Sequence, residues 1–250
     1  MRYRIDISYD GTSFCGWQIQ PGAPSVQEAL EKALGVLLHG SVKVTGCGRT
    51  DTGVSATHYT AHFDSESVLE DCNNLVFKLN AILPPSVAVR SLEAVGDDFH
   101  ARFGAVRREY VYHIHFGKDP FADAFSYRIP YPSLDFEAMN RAAALLPGTR
   151  NFSCFEKTGG APNTGICTIF EAGWHRCEPT PSAGGEHWYF RIAADRFLRN
   201  MVRAIVGTMI EVGRARRSPE SVAQLLESGD RRLAGESVPG KALFLDKVEY

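Results

Sequence analysis

The stretch Gly46-Cys47-Gly48-Arg49-Thr50-Asp51-Thr52-Gly53-Val54-Ser55-Ala56 decides the fold assignment. Val42 to Thr45 before it and Tyr59 to Phe63 after it are rich in β-branched and aromatic residues, so both flanks are predicted strands joined by this loop. Its glycines permit positive φ and close approach of the backbone to another molecule. A short loop between strands that carries a carboxylate near a guanidinium is typical of the loops that hold a reactive side chain in place. Asp51 is the candidate for that reactive side chain. Asp and Gly also fill ordinary turns, so the residues alone leave both interpretations open.

Length and composition are those of an ordinary soluble globular protein. The 250 residues are 44% hydrophobic and 22% charged, which allows one large or two modest domains without disulfides. The six cysteines form no Cys-x-x-Cys pair, so we predict reduced thiols and neither a zinc knuckle nor a redox motif. Met1 to Asp6 lack the apolar core of a signal peptide, and no window approaches about 18 apolar residues, so we expect a cytoplasmic protein outside the membrane.

Positive charge is concentrated in one segment of a chain whose net charge is −2. Residues 190–217 hold seven arginines against two acids, a local balance of +5, which leaves −7 for the rest. The seven arginines are Arg191, Arg196, Arg199, Arg203, Arg214, Arg216 and Arg217. One basic face on an acidic body suits a polyanionic partner, although a solvated helix surface would have the same composition.

The first half of the chain is predicted to run strand, helix, strand, strand, helix, strand. Tyr3 to Tyr9 alternates as a half-buried strand, and Ser25 to Glu28 is a capping box that opens a helix to about Leu38. After the two strands around Asp51, a helix is predicted from about Leu69 to Ile82 and a strand from Val87 to Leu92. This is the ferredoxin-like order, which RNA-recognition modules also use.

The second half repeats this plan loosely. Strands are predicted for Arg108 to His115, Ile166 to Trp174 and Trp188 to Ala193, and helices for Asp135 to Leu146 and Arg196 to Val212. A shorter helix follows with Ser218 as its N-cap. Residues 159–162 and 179–185 are predicted surface loops. We therefore predict an α/β (α+β) protein of two ferredoxin-like halves, residues 1–104 and 105–250.

The predicted helix from Arg196 places Arg196, Arg199, Asn200 and Arg203 on one face. The residues farther along this face are apolar, so Arg203 lies between basic and apolar positions. Its guanidinium needs a partner there, and a carboxylate from elsewhere in the chain would provide one.

Aromatic and cationic residues alternate from Phe99 to Phe103 and from Arg107 to Tyr112. Such strands can stack unpaired bases, but core packing explains Phe99 and Phe103 equally well. His58 and His62 have no acidic or thiol companions at ligand spacing, so no metal site is predicted.

Four motifs resemble, in this order, those of the tRNA pseudouridine synthase A (TruA) family. They are the Tyr-Asp-Gly-Thr-x-Phe-x-Gly-Trp-Gln-x-Gln of 9–20, the Gly-Arg-Thr-Asp-x-Gly-Val of 48–54, the Phe-His-Ala-Arg of 99–102 and the Val-Arg-x-Ile-x-Gly of 202–207. The resemblance implies the pseudouridine synthase fold, in which the antiparallel sheets of two RNA-recognition-like halves join around a central basic cleft. It also implies an isomerase that modifies tRNA.

The resemblance further implies the substrate, the reaction and the site. The chain would isomerise uridine to pseudouridine at positions 38, 39 and 40 of the tRNA anticodon arm after flipping the base out, without cofactor or metal and as a homodimer. Asp51 would be the nucleophile, attacking C6 or C1′, with Arg203 as its ionic partner. Tyr110 would stack on the uracil and could assist proton transfer. Further substrate contacts are expected from Arg49, Arg196 and Arg199.

Three departures from the family pattern keep other hypotheses open. Ser55 stands where the family usually has His, 150–152 replaces a frequent His-Asp-Phe, and 240–245 replaces a small-residue run ending Gly-Leu-Tyr-Leu. A catalytically silent RNA-binding protein would keep the basic face without needing Asp51. An unrelated Asp-nucleophile hydrolase is the other alternative, but no partner residues for a phosphoryl or acyl site are evident.

Overall fold

The computed structural model describes residues 1–157, 164–178 and 185–250, which form two compact units. The first unit contains Met1–Val106 together with Phe244–Tyr250, and the second contains Arg107–Leu243. The sequence-based division had placed the C-terminal segment with the second half, whereas the structure assigns it to the first unit. The loop predicted for 159–162 and nearly all of that predicted for 179–185 lie outside the described residues.

The first unit follows the predicted order of elements. These are β1 (Arg2–Tyr9), α1 (Val26–Leu38), β2 (Val44–Gly46), β3 (Ser55–Asp64), α2 (Cys72–Ile82) and β4 (Val87–Val95). Strand β1 is central and antiparallel to both β3 and β4, and β2 is antiparallel to the end of β3. The alternation predicted for β1 holds at its apolar positions, where Tyr3, Ile5 and Ile7 are buried, but Asp6 on the opposite face is buried as well.

The ends of both helices have local causes. Ser25 caps α1 as predicted, since its hydroxyl accepts a hydrogen bond from the Glu28 amide at 3.3 Å, and His39 ends the helix in the left-handed conformation. Helix α2 begins at Cys72 rather than at Leu69, because the Asp71 carboxylate caps it by accepting from the Asn74 amide at 2.8 Å.

The second unit is also mixed α and β. Its elements are β5 (Arg107–Phe116), β6 (Tyr127–Ile129), α3 (Phe136–Ala143), β7 (Gly148–Asn151), β8 (Ile166–Arg176), β9 (His187–Ala194), α4 (Met201–Gly213) and α5 (Ser221–Ser228). The strands β5, β9, β8 and β7 follow one another as an antiparallel sheet, and β6 runs parallel to β5. The predicted strands β5, β8 and β9 are confirmed, whereas β6 and β7 are too short to show a period in the sequence.

The last strand, β10 (Leu243–Glu249), contributes to the first unit, where Phe244 and Leu245 pair in parallel with Ser55 and Ala56 of β3. One edge of β3 is thus shared between β2 and β10. The mostly antiparallel, mixed architecture of the two units confirms the predicted fold class. Within the described part of the chain, no helix is long and apolar enough to cross a membrane.

Two helix starts in the second unit differ from prediction. Helix α4 begins at Met201 and not at Arg196, because Asn200 has a φ of 64° that a right-handed helix cannot contain. The prediction that Arg196 and Arg199 share a helical face with Arg203 is therefore wrong. Helix α5 begins at Ser221, and the predicted cap Ser218 lies in the preceding turn, where its carbonyl accepts from the Ser221 amide.

Helix α4 is buried along most of its length, and the segment 234–240 lies against its backbone at Gly235 and Glu236. A Cβ atom on Gly207 would lie 1.8 Å from the Glu236 carbonyl oxygen. One residue further, the Thr208 hydroxyl accepts from the Gly235 amide at 2.9 Å. Glycine at 207 is therefore required by the approach of another backbone.

We expect the substitution Gly207→Ala to destabilise the protein by about 2 kcal/mol, because overlap with a backbone carbonyl outweighs the gain of about 1 kcal/mol in helix propensity. Urea unfolding measures the change. Gly40→Ala is the matched control, since a Cβ there meets nothing nearer than the Leu38 carbonyl at 3.9 Å. A Gly207→Ala variant as stable as this control would contradict the packing argument.

Candidate active site

Asp51 lies half-buried on the loop 47–54 between β2 and β3, and Arg49 on the same loop is exposed. Backbone hydrogen bonds tie both ends of the loop: the Cys47 amide donates to the Thr60 carbonyl at 2.8 Å, and the Val54 amide donates to the Asp51 carbonyl at 3.1 Å. The loop is therefore held by a hydrogen bond to strand β3 and by a hydrogen bond within its own turn.

Two aromatic rings form the base of this loop. Trp17 and Tyr59 are buried and stack with their centroids 4.2 Å apart, and the Tyr59 hydroxyl donates to the Gly48 carbonyl at 2.5 Å. A Cβ on Gly46 would lie 2.1 Å from the Tyr59 hydroxyl oxygen and 2.6 Å from Trp17 Cε2. The glycine at the entry of the loop is thus required by the protein's own rings.

The first sequence motif braces the loop on both sides of Asp51. The Trp17 amide donates to the Thr50 carbonyl, and the Gly53 amide donates to the Phe14 carbonyl, both at 3.3 Å. The Tyr9 and Thr50 hydroxyls also share a buried hydrogen bond of 2.9 Å. The buried part of this motif therefore supports the loop that carries the candidate nucleophile.

Ser55, the departure nearest to Asp51, is buried and part of this support. Its hydroxyl accepts a hydrogen bond from the Gly11 amide at 3.0 Å. A Cβ on Gly11 would lie 2.0 Å from the Val54 carbonyl oxygen, so the two segments approach closely here. Serine at this position therefore links the loop to the first motif.

In the second unit, Tyr110 is half-buried on β5 and packs edge-on against Phe197, with the ring centroids 5.1 Å apart. Phe197 belongs to the segment 195–200 between β9 and α4. Asp195 anchors this segment, since its carboxylate accepts from the amides of Thr168 at 2.8 Å and Arg196 at 2.7 Å. The orientation of the Tyr110 ring is thus set by a connection fixed to the sheet.

Arg203 lies in the first turn of α4, where the segment 234–240 holds it from both directions. Its Nε donates to the Val238 carbonyl at 2.7 Å, and the Val238 amide donates to the Arg203 carbonyl at 3.3 Å. The Tyr112 hydroxyl donates to the neighbouring Pro239 carbonyl at 3.0 Å, and burial raises the pKa of Tyr112. Sequence reasoning missed this backbone partner of Arg203, because contact between a helix and a remote segment has no local signal.

The remaining site candidates lie before α4. Arg199 is exposed, and Arg196 is half-buried with one guanidinium nitrogen 3.4 Å from the Thr164 carbonyl. Arg49 and Asp51 thus lie on one loop of the first unit, and Tyr110 and Arg203 lie in the second unit. The pairing of Asp51 with Arg203 stays a prediction.

Comparison with known proteins identifies the family. The model of a family described as tRNA pseudouridine synthase matches residues 7–104 and 142–250. The chain belongs to the tRNA pseudouridine synthase family. The prediction of an isomerase, a tRNA pseudouridine synthase, is confirmed by this membership.

Relatives named tRNA pseudouridine synthase A are similar to the chain over its full length. The relative from Bacteroides thetaiotaomicron is 48% identical and the alignment covers 90% of it. The relative from Parabacteroides distasonis is 45% identical with 96% of it covered, and that from Bacillus licheniformis is 39% identical with 99% covered. Each alignment covers 100% of this chain.

The other departures from the tRNA pseudouridine synthase pattern also have internal contacts. Arg150 donates to the Leu145 carbonyl at 3.0 Å, and the Asn151 side chain accepts from the Ser153 amide at 3.0 Å. In the last strand, Leu243 and Leu245 are buried. Among the described residues, no group of three or more His, Cys, Asp and Glu side chains is placed to hold a metal ion.

The bracing of Asp51 by Tyr9 can be tested with a double-mutant cycle. We expect Tyr9→Phe and Thr50→Val each to cost about 1 kcal/mol of unfolding free energy, because each removes the buried hydrogen bond between the two hydroxyls. The two losses should not add, and the coupling energy should be about 1 kcal/mol. Urea unfolding of the four proteins measures it. Fully additive losses would show that the two hydroxyls act independently.

Proposed function

We propose that this chain isomerises uridine to pseudouridine at positions 38, 39 and 40 in the anticodon stem-loop of tRNA, with Asp51 as the nucleophile. The observation that carries the proposal is the bracing of the Asp51 loop, whose residues Thr50 and Gly53 are bonded to a second buried segment. A reactive side chain needs this kind of fixed support. Family membership and relatives named tRNA pseudouridine synthase A support the substrate and the reaction.

The chemistry requires an ionised carboxylate and an accessible base. The target uridine flips out of its stack, at a cost of a few kcal/mol that aromatic and cationic contacts offset. The Asp51 carboxylate then attacks C6 of the ring or C1′ of the sugar, and the N1–C1′ bond breaks. The base rotates and its C5 forms a bond to C1′, the bond from the Asp51 carboxylate to C6 or C1′ breaks to free the carboxylate, and the proton on C5 is lost while N1 gains one. Uridine and pseudouridine are isomers, so the reaction balances without an added reactant.

Tyr110 and Arg203 complete the proposed site. Tyr110 is half-buried and packs against Phe197. In the proposed complex, one face of the Tyr110 ring lies on the uracil while the Tyr110 hydroxyl assists proton transfer. Arg203 is held by its bond to the Val238 carbonyl. We assign Arg203 to pair with the Asp51 carboxylate, because the family resemblance implies a basic partner for the nucleophile at this position. Arg49, Arg196 and Arg199 are assigned to tRNA phosphates, since guanidinium binds phosphate in bidentate geometry.

A catalytically silent RNA-binding protein is the other candidate, and the departures at Ser55 and Arg150 are its main sequence support. Ser55 accepts a hydrogen bond from the Gly11 amide, and Arg150 donates one to the Leu145 carbonyl. These departures from the family pattern therefore do not by themselves favour the loss of catalysis.

We also propose a cytoplasmic RNA-binding homodimer in which two copies share one tRNA, an expectation supported by the family resemblance. Light scattering of the purified protein should give a mass near twice the 27.6 kDa of the chain. A mass of a single chain at working concentration would contradict this part of the proposal.

The decisive experiment is nucleotide-resolved pseudouridine mapping of a tRNA transcript after incubation with the wild type and with Asp51→Asn. We expect pseudouridine in the anticodon arm from the wild type and a loss of at least about 1,000-fold in rate with Asp51→Asn, because the amide is a poor nucleophile of the same shape. Asp98→Asn, at an exposed position, is the control that removes the same charge.

Each outcome of this experiment has a definite meaning. Product from Asp51→Asn at the wild-type rate would refute the nucleophile. No product from a wild-type protein that binds tRNA would favour the silent RNA-binding hypothesis. Product outside positions 38 to 40 would keep the reaction and refute the assigned target.

A further inference from the structure

Arg214 lies just after α4 and is stacked on an aromatic ring. Its guanidinium carbon is 3.6 Å from the centroid of the Tyr131 ring, and its amide donates to the Ile210 carbonyl at 3.1 Å. Pro130 and Pro132 flank Tyr131 and restrict the backbone on both sides of it. The stack uses the face of the guanidinium, whereas its N–H donors lie in its plane and point to the edges. Arg214 is thus held in place without using those donors on a carboxylate.

Arg216 is exposed beside it on a fixed turn. Ala215 between them has a φ of 54°, and the Ala215 and Arg216 amides donate to the carbonyls of Val212 and Glu211. The neighbouring Glu211 carboxylate pairs with Arg217 at 3.0 Å. Across residues 1–157, 164–178 and 185–250, neither Arg214 nor Arg216 forms an ion pair. The two guanidinium groups therefore leave an uncompensated positive charge at the end of α4.

The position of this charge relative to Arg203 follows from helix geometry. Eleven residues separate Arg203 from Arg214, which at 1.5 Å per residue is about 16 Å along α4. At 3.6 residues per turn this is close to three full turns, so both side chains leave the helix on nearly the same side, where the segment 234–240 covers α4 at Gly207 between them. A single nucleotide bound near Arg203 would not reach Arg214, but an RNA strand would.

We propose that Tyr131, Arg214 and Arg216 form a binding site for phosphate groups of the tRNA backbone, about 16 Å along α4 from Arg203. The inference rests on the proposed function, because it takes the tRNA to be bound beside Arg203. Arg214 donates from the edges of its stacked guanidinium to one phosphate, and Arg216 neutralises a neighbouring one. Such contacts position the RNA and carry no sequence information.

A purely structural role is the competing explanation. A cation at a helix C-terminus interacts favourably with the helix dipole, and a guanidinium stacked on tyrosine stabilises the fold. Those effects change the unfolding temperature and leave the affinity for RNA unchanged. Affinity and its salt dependence therefore separate the two roles.

The test measures fluorescence anisotropy of a labelled tRNA transcript against salt from about 50 to 200 mM, because phosphate contacts release counterions. The proteins are the wild type, Arg214→Gln, Arg216→Gln and the double variant. Each single change should raise the Kd about three- to ten-fold, and the double variant should flatten the log Kd against log salt slope by about 1.4 to 1.8. Arg141→Gln is the control, since it removes the same charge from a guanidinium already paired with Glu137.

Two further variants keep the test decisive if a glutamine variant folds poorly. Arg214→Lys keeps the charge without the planar stack, so it should weaken binding while keeping the salt slope. Tyr131→Leu removes the platform and should raise the Kd about two- to five-fold, less than the loss of the charge itself. Thermal unfolding of each protein verifies that the fold is intact.

The proposal is overturned if the double variant binds tRNA with the wild-type Kd and slope, or if Arg141→Gln loses as much affinity as Arg214→Gln. In either case a wild-type protein that still forms pseudouridine keeps the proposed function. A wild-type protein that neither binds nor modifies tRNA would instead refute the proposed function.

Discussion

The two backbone hydrogen bonds on either side of Asp51 are the constraint on which the candidate site depends. The Thr50 carbonyl and the Gly53 amide both bond to the segment that contains Phe14 and Trp17. A loop of this length loses considerable conformational entropy when it is ordered, so bonds at one end alone would leave the carboxylate mobile. Bonds on both sides, with the stacked rings of Trp17 and Tyr59 beneath them, hold the backbone that carries the Asp51 carboxylate in place.

Arg203 in the second unit is held in the same way. It exchanges two hydrogen bonds with Val238, and the segment that carries Val238 approaches α4 at Gly207. In both units a glycine is explained by a neighbouring group of the same unit, the Tyr59 and Trp17 rings at Gly46 and the Glu236 carbonyl at Gly207. Residues of the motifs, Trp17 and Gly207 among them, thus build the support of the candidate site.

The basic segment divides into arginines with internal roles and arginines available to a polyanion. Arg191 pairs with Glu109 and Arg217 pairs with Glu211, so these charges are compensated within the fold. Arg199 and Arg216 are exposed. The net charge of residues 190–217 therefore overstates the number of guanidinium groups that are available to RNA. The partner of each guanidinium shows which positions can bind phosphate.

The sequence by itself determined the parts of this protein that depend on neighbouring residues. Alternation in β1, the cap at Ser25 and the loop that carries Asp51 are encoded within a few positions of the chain, and the motifs led to the family. The tertiary structure alone decided the start of α4, where a left-handed Asn200 bonds to Ser237, and the pairing of β10 with β3. It also decided the roles of Ser55 and Gly207. These features depend on groups brought together from distant positions, and local periodicity contains no information about such contacts.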